Sequence, residues 1–185
     1  MSKQLVPTKR RFANVADEIE YVYQKVVFWF CRRPEGSQAR RYATRLKKLL
    51  GRDETIPGSI FGEECWSLVF DVAGDYRRAI RHRENEIRLI RRLHEITPKE
   101  QRDLVFGWYG FSDLSNRLNV LADIYKQIGQ TDRAIRILRE SKALCARHGI
   151  PFDGEDSLQE LLSETSRNGQ RTHATPRRNS ARQKS

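Results

Sequence analysis

The sequence predicts an all-α fold built from antiparallel helical hairpins, and three observations carry that reading. Apolar residues recur at three- and four-residue spacing along most of the chain. Capping residues stand immediately before several of these stripes. Two stripes, VFDVAGDYRRAIRHR and IYKQIGQTDRAIRIL, break at Gly74 and Gly129 and restart at once with the same period.

Residues 14–33, NVADEIEYVYQKVVFWFCRR, open with Asn14 as N-cap, and Asp17 and Glu18 lie in a first turn whose dipole favours carboxylates. Ile19, Tyr23, Val26 and Phe30 then share a face, although the β-branched and aromatic run also suits a strand. Pro34 and Gly36 end this helix. Ser37 caps a second, with Tyr42, Ala43, Leu46, Leu49 and Leu50 inward and Gly51 as its stop. The first hairpin therefore spans about 14–51, behind a flexible N-terminus at 1–13. After the turn-rich RDETIPGSI, Ser59 caps a helix whose stripe is Cys65, Trp66, Val69, Phe70 and Ala73. Beyond Gly74, Asp75 caps the returning helix, with Tyr76, Ala79, Ile80, Ile87, Ile90 and Leu93 inward and the aliphatic stem of Arg83 filling one turn. This second hairpin covers about 60–96.

TPKE at 97–100 is a start signal: Thr97 caps, Pro98 takes the first helical position and Glu100 completes a capping box. The third hairpin accordingly runs over about 98–149. Gly107 and Gly110 each weaken its first helix by about 1 kcal/mol, and Ser112 offers a new cap, which predicts a break there. Leu114, Leu118, Leu121, Tyr125 and Ile128 face Ala134, Ile135, Leu138, Ser141 and Cys145 across Gly129. Gly149 and Pro151 stop the hairpin, and EDSLQELLSE gives a final helix at 155–164 that covers the end of the stack.

Aligning the two glycines aligns their surroundings: Gly74, Asp75, Tyr76, Ala79 and Ile80 against Gly129, Gln130, Thr131, Ala134 and Ile135. A tight turn between antiparallel helices needs a residue tolerant of positive φ. Five residues on, a small side chain lets the helices approach. Upstream, Trp66 and Phe70 in one copy and Leu121 and Tyr125 in the other fill the groove. The pattern resembles the tetratricopeptide repeat over roughly residues 60–150. In the second copy Leu121, Ala122, Tyr125, Gly129, Ala134 and Leu138 match it. In the first, Trp66, Ser67, Phe70, Gly74, Tyr76 and Ala79 match, with Arg83 and Glu86 where the family has an aromatic residue and an alanine. The copies lie farther apart than the family's period of about 34 residues; a long second helix and the insertion TPKEQRDLVFGWYG account for the excess.

The resemblance implies hairpins stacked as a short superhelix over residues 14–165, with a partner peptide in the concave groove. It puts Asn116, Asn119, Asp123, Lys126 and Gln127 on the groove side of the second copy and Phe61, Glu64, Leu68, Asp71 and Val72 on that of the first. Amide and ammonium groups from successive turns of one face suit a peptide backbone or carboxylate. The family's lysine and asparagine clamp for a two-carboxylate chaperone tail is not reproduced. An uncovered hairpin end would also serve homo-oligomerisation.

Over 185 residues the chain is 38% hydrophobic, 32% charged and carries a net charge of +11, a composition for one water-soluble unit with a solvated surface. The last segment, 166–185, has six basic residues, no acid and no large apolar side chain, so it is expected to be a disordered basic tail. Without a bilayer-length apolar run or signal-like N-terminus, a cytoplasmic location is expected and no membrane partner. Cys31, Cys65 and Cys145 are too scattered for a disulfide or zinc framework and are expected as buried free thiols.

These features favour a non-catalytic protein-interaction scaffold, with no catalytic residues, cofactor or metal. The histidines form no HExxH and the glycines no phosphate loop; Cys145 and His148 are one turn apart, but Cys145 faces inward. The alternative is nucleic-acid binding through the seven arginines of RRAIRHRENEIRLIRRLHE, the RRYATRLKK helix and the tail, although no aromatic-interleaved RNA signature accompanies them.

Overall fold

Asn14 opens the first helix as its sequence requires: its Oδ1 accepts from the Asp17 N–H at 2.9 Å. In the computed structural model, residues 12–32, 36–51, 59–98 and 109–173 are described, with side chains as far as 167. Among them every regular element is α-helical: α1 (Val15–Arg32), α2 (Ser37–Leu50), α3 (Ile60–Val72), α4 (Tyr76–Ile96), α5 (Phe111–Gln127), α6 (Thr131–His148) and α7 (Glu155–His173). The β-branched run in α1 is helical because Ile19, Val22 and Val26 fall on one buried stripe, and that burial outweighs strand propensity.

The chain divides into two compact units, Met1–Gly107 and Trp108–Ser185, where composition suggests one. In unit 1, α1 pairs with α2 and α3 with α4, while α2 packs on α3 and α1 touches α3. Its core gathers Ile19, Val22, Val26, Ala39, Leu46, Leu50, Cys65 and Val69. Fully burying each large aliphatic among them contributes about 1.5–3 kcal/mol. In unit 2, α5 pairs with α6, and α7 packs on α6 through Leu158 and Leu161. The five inward residues expected on α6, Ala134, Ile135, Leu138, Ser141 and Cys145, are all buried.

Both glycine corners are left-handed, Gly74 at φ 74° and Gly129 at φ 73°. Each closes the preceding helix with the same pair of backbone bonds. Asp75 N–H donates to Phe70 O and Gly74 N–H to Asp71 O; Gln130 N–H donates to Tyr125 O and Gly129 N–H to Lys126 O. The returning helices then cross their partners at Ala79 and Ala134, both fully buried. At the first crossing Ser67 Oγ donates to Ala79 O at 3.1 Å, which seats its hydroxyl where the backbones are closest.

Several details differ from the sequence reading. Ser37 lies inside α2, whose N-cap is Gly36, and Ser112 lies inside the first turn of α5, whose N-cap is Gly110; neither cap uses a side chain. Phe111 stacks on His148 across the open end of the α5–α6 hairpin, so it belongs to the helix and the start shifts ahead of Ser112. Thr97 closes α4, its hydroxyl donating to Leu93 O, and the helix expected to follow Pro98 falls outside the described residues. Helix α7 runs to His173, past its expected end at 164, because extending a formed helix costs far less than nucleating one. The remainder of the expected tail, 174–185, lies outside the described residues, as do 1–11 of the N-terminus; Phe12 packs against Tyr21. Cys65 and Cys145 are buried, but Cys31 is exposed on the outer side of α1.

Candidate partner-binding face

Asn116, Asn119, Asp123, Lys126 and Gln127 form one row along α5, as three- and four-residue spacing dictates. Leu118, Leu121 and Tyr125 anchor the opposite side of the helix in the core and hold this row outward. Asn116, Asp123 and Gln127 are exposed; Asn119 and Lys126 are half-buried. The Asn119 Oδ1 is closed off from solvent without a hydrogen-bond partner among the described residues. Lys126 is engaged: its Nζ donates to Glu160 Oε2 of α7. That bond is the main reason its ammonium pKa is raised, with Glu160, Glu164 and Asp123 adding to it. Desolvation lifts the Asp123 carboxyl above its ordinary value, and Lys126 offsets part of that. Just past the row, the Gly129 corner and α7 border a polar cleft of about 470 Å³ that includes Gln130, Arg133, Glu164 and Thr165. The face therefore offers amides, a carboxylate and a lysine whose present partner is an exposed acid, a pairing worth at most about 1 kcal/mol and easily exchanged.

The matching row of unit 1 is closed. Leu68 and Val72 are buried in the core, Phe61 lies edge-on to Tyr23 at 5.4 Å, and Glu64 accepts the Tyr23 hydroxyl at 2.6 Å. The expected groove of the first copy is thus filled by α1 and α2, which precede α3 and cover it. Burial, reinforced by Glu64, pushes the Tyr23 hydroxyl pKa well up, and burial does the same to the Cys65 thiol.

Sequence reasoning missed two groupings here. Arg83 does pack inward, but as half of a buried ion pair with Glu86, itself fully buried; in sequence the two are simply charges three apart. His82 bonds Glu63 through Nδ1 at 2.7 Å and stacks against Phe70 at 5.4 Å and Trp66 at 6.1 Å. Only the crossing at Ala79 brings these residues of α3 and α4 together, so no short-range signal announces them. Among the described residues no cluster of His, Cys, Asp or Glu is arranged to hold a metal ion, and no helix is long and apolar enough to cross a membrane. No family model, curated protein or solved structure matches this chain.

Proposed function

We propose that the chain is a non-catalytic, cytoplasmic interaction scaffold of tetratricopeptide-like hairpins, and that the α5 row of unit 2 receives a peptide segment of a protein partner. The observation that carries this reading is the row itself: five polar side chains aligned on the helix that ends in the Gly129 corner, three of them, Asn116, Asp123 and Gln127, exposed. The exposed Asp123 carboxylate, one turn along the row from Asn119, accepts an incoming backbone N–H. Asn116 and Gln127 extend hydrogen bonding to either side. Lys126 exchanges Glu160 for a ligand carboxylate. Affinity capture with the full chain, repeated with Asn119→Leu and Lys126→Glu, tests this: partners held by the row are lost from both variants. Retention of the same partners by both would overturn it.

A second reading is supported by the exposure of Arg77, Arg78, Arg81, Arg88, Arg91 and Arg92 on α4 and of Arg40, Arg41, Arg45, Lys47 and Lys48 on α2. A surface so basic can neutralise phosphates, and binding to generic DNA or RNA would then weaken steeply with salt. Truncation at residue 165 separates the contribution of the C-terminal segment from that of the helices.

A further inference from the structure

Unit 1 carries a cleft that the proposed peptide row does not use. Its floor is apolar: Ala43, Val69 and Phe70 are at most 8% exposed yet border an opening of about 480 Å³. Its rim is cationic. Arg40 and Lys47 lie two turns apart on the same side of α2, and Arg78 lies in the first turn of α4. Two of these cations sit over the Phe70 ring, the Arg78 guanidinium at 4.6 Å and the Lys47 ammonium at 5.9 Å from its centroid. The rim has one acid, Asp75, which already pairs with Arg78 and caps α4. No carboxylate of the described residues pairs with Arg40 or Lys47.

We infer that this cleft docks an acidic segment of a partner protein, one large apolar side chain resting on the floor while flanking carboxylates meet Arg40 and Lys47. The volume lies within the roughly 300–1,000 Å³ of side-chain and small-ligand sites. Charge complementarity sets the sign of the partner, and the greasy floor sets its mixed character. A nucleic acid would use the cations but leave the floor empty.

The test is a binding titration of the full-length protein with a fluorescent Glu-Glu-Leu-Phe-Glu-Glu peptide, alongside versions with Ser-Ser at the centre and with Lys for Glu, and a poly-dT oligonucleotide. The parent peptide binds, both altered peptides bind at least about tenfold more weakly, and Arg40→Glu and Lys47→Glu each cost about tenfold. Both positions are exposed, so these variants keep the fold, which an unchanged thermal midpoint verifies. Arg136→Glu and Arg139→Glu, exposed on α6 and lining neither the cleft nor the α5 row, leave this affinity unchanged, which separates the cleft from a general response to lost positive charge. No binding of the parent peptide, equal binding of the Ser-Ser peptide, indifference to Arg40→Glu and Lys47→Glu, or full competition by the oligonucleotide would each overturn the inference.

Discussion

In the α3–α4 hairpin the chain turns through Gly74 at φ 74° and enters α4 from Asp75 at φ −88°, ψ 68°; in the α5–α6 hairpin it turns through Gly129 at φ 73° and enters α6 from Gln130 at φ −88°, ψ 60°. Nine and twelve residues past these glycines the likeness ends. The first hairpin places Arg83 and Glu86 there, buried and paired; the second places Leu138 and Ser141, with Ser141 bonded to Ser115 at 2.8 Å across the crossing. The corner is thus a local matter of backbone and one glycine, whereas the interior answers to what is packed outside it. Among the described residues, a further hairpin presses on the first helix of the pair in unit 1, bringing Tyr23 against Glu64.

The largest expected effect comes from breaking that ionic interior. Arg83→Leu leaves Glu86 buried without its cation and should cost about 3–5 kcal/mol. Arg83→Leu together with Glu86→Leu, which brings unit 1 towards the apolar filling of unit 2, should return stability to within about 1 kcal/mol of the parent or above it. Chemical denaturation of the parent, Arg83→Leu, Glu86→Leu and the double variant gives the coupling, and a double-variant loss equal to the sum of the two single losses would show that the pair is not a unit. Cys65 and Cys145, one buried in each unit, report opening separately in a Cys31→Ser background. Arg83→Leu should accelerate thiol labelling at Cys65 by about two to three and a half orders of magnitude.

Alkaline pH probes the same region next. Burial raises the Cys65 and Tyr23 pKa values, so the folded state keeps protons that the unfolded chain releases above about 8.5 for a thiol and 10 for a phenol. Stability supplied by the protonated groups is complete below those values and falls as pH rises through them, by up to about 1.4 kcal/mol per pH unit for each group. Denaturation midpoints between about pH 7 and 11.5 should decline, and Cys65→Ala should remove the earlier part of the decline. A flat profile would mean that neither group keeps its proton on folding.

Gly74→Ala and Gly129→Ala test the shared corner. A methyl group at either position meets no atom within 4 Å, so the cost is conformational alone, about 1–2 kcal/mol for left-handed backbone. The two losses should agree within about 0.5 kcal/mol, and a clear inequality would break the equivalence of the corners.

What could be read in advance follows the same division. The corners, the small residues at Ala79 and Ala134, and the entire inward stripe of α6 depend on neighbours within a few positions, and periodicity with glycine chemistry reveals them. The fate of Leu68 and Val72 depends on α1 and α2, which arrive from earlier in the chain, so a position that looked like open groove is core. Glu86 stood out in sequence only as a departure from the repeat's alanine, and its burial beside Arg83 needed the α3–α4 crossing. On α5 the polar row was legible as a row, but the bond from Lys126 to Glu160 needed the placement of α7.

The smallest effect concerns the residue after each glycine. Asp75 accepts the Arg78 N–H through its carboxylate, while Gln130, with nearly the same backbone angles, makes no side-chain cap. Glutamine is one methylene too long to fold back onto its own helix start, and the matching Arg133 N–H donates instead to the Gln130 carbonyl at 3.1 Å. Exchanging the two should therefore act with opposite signs. Asp75→Gln should lose about 1 kcal/mol and Gln130→Asp gain a similar amount, the gain aided by the dipole at the α6 N-terminus and reduced by the nearby Asp132. Urea midpoints of the two variants decide this. If Gln130→Asp were neutral while Asp75→Gln still cost stability, the ion pair of Asp75 with Arg78, and not the cap, would be what distinguishes the first corner from the second.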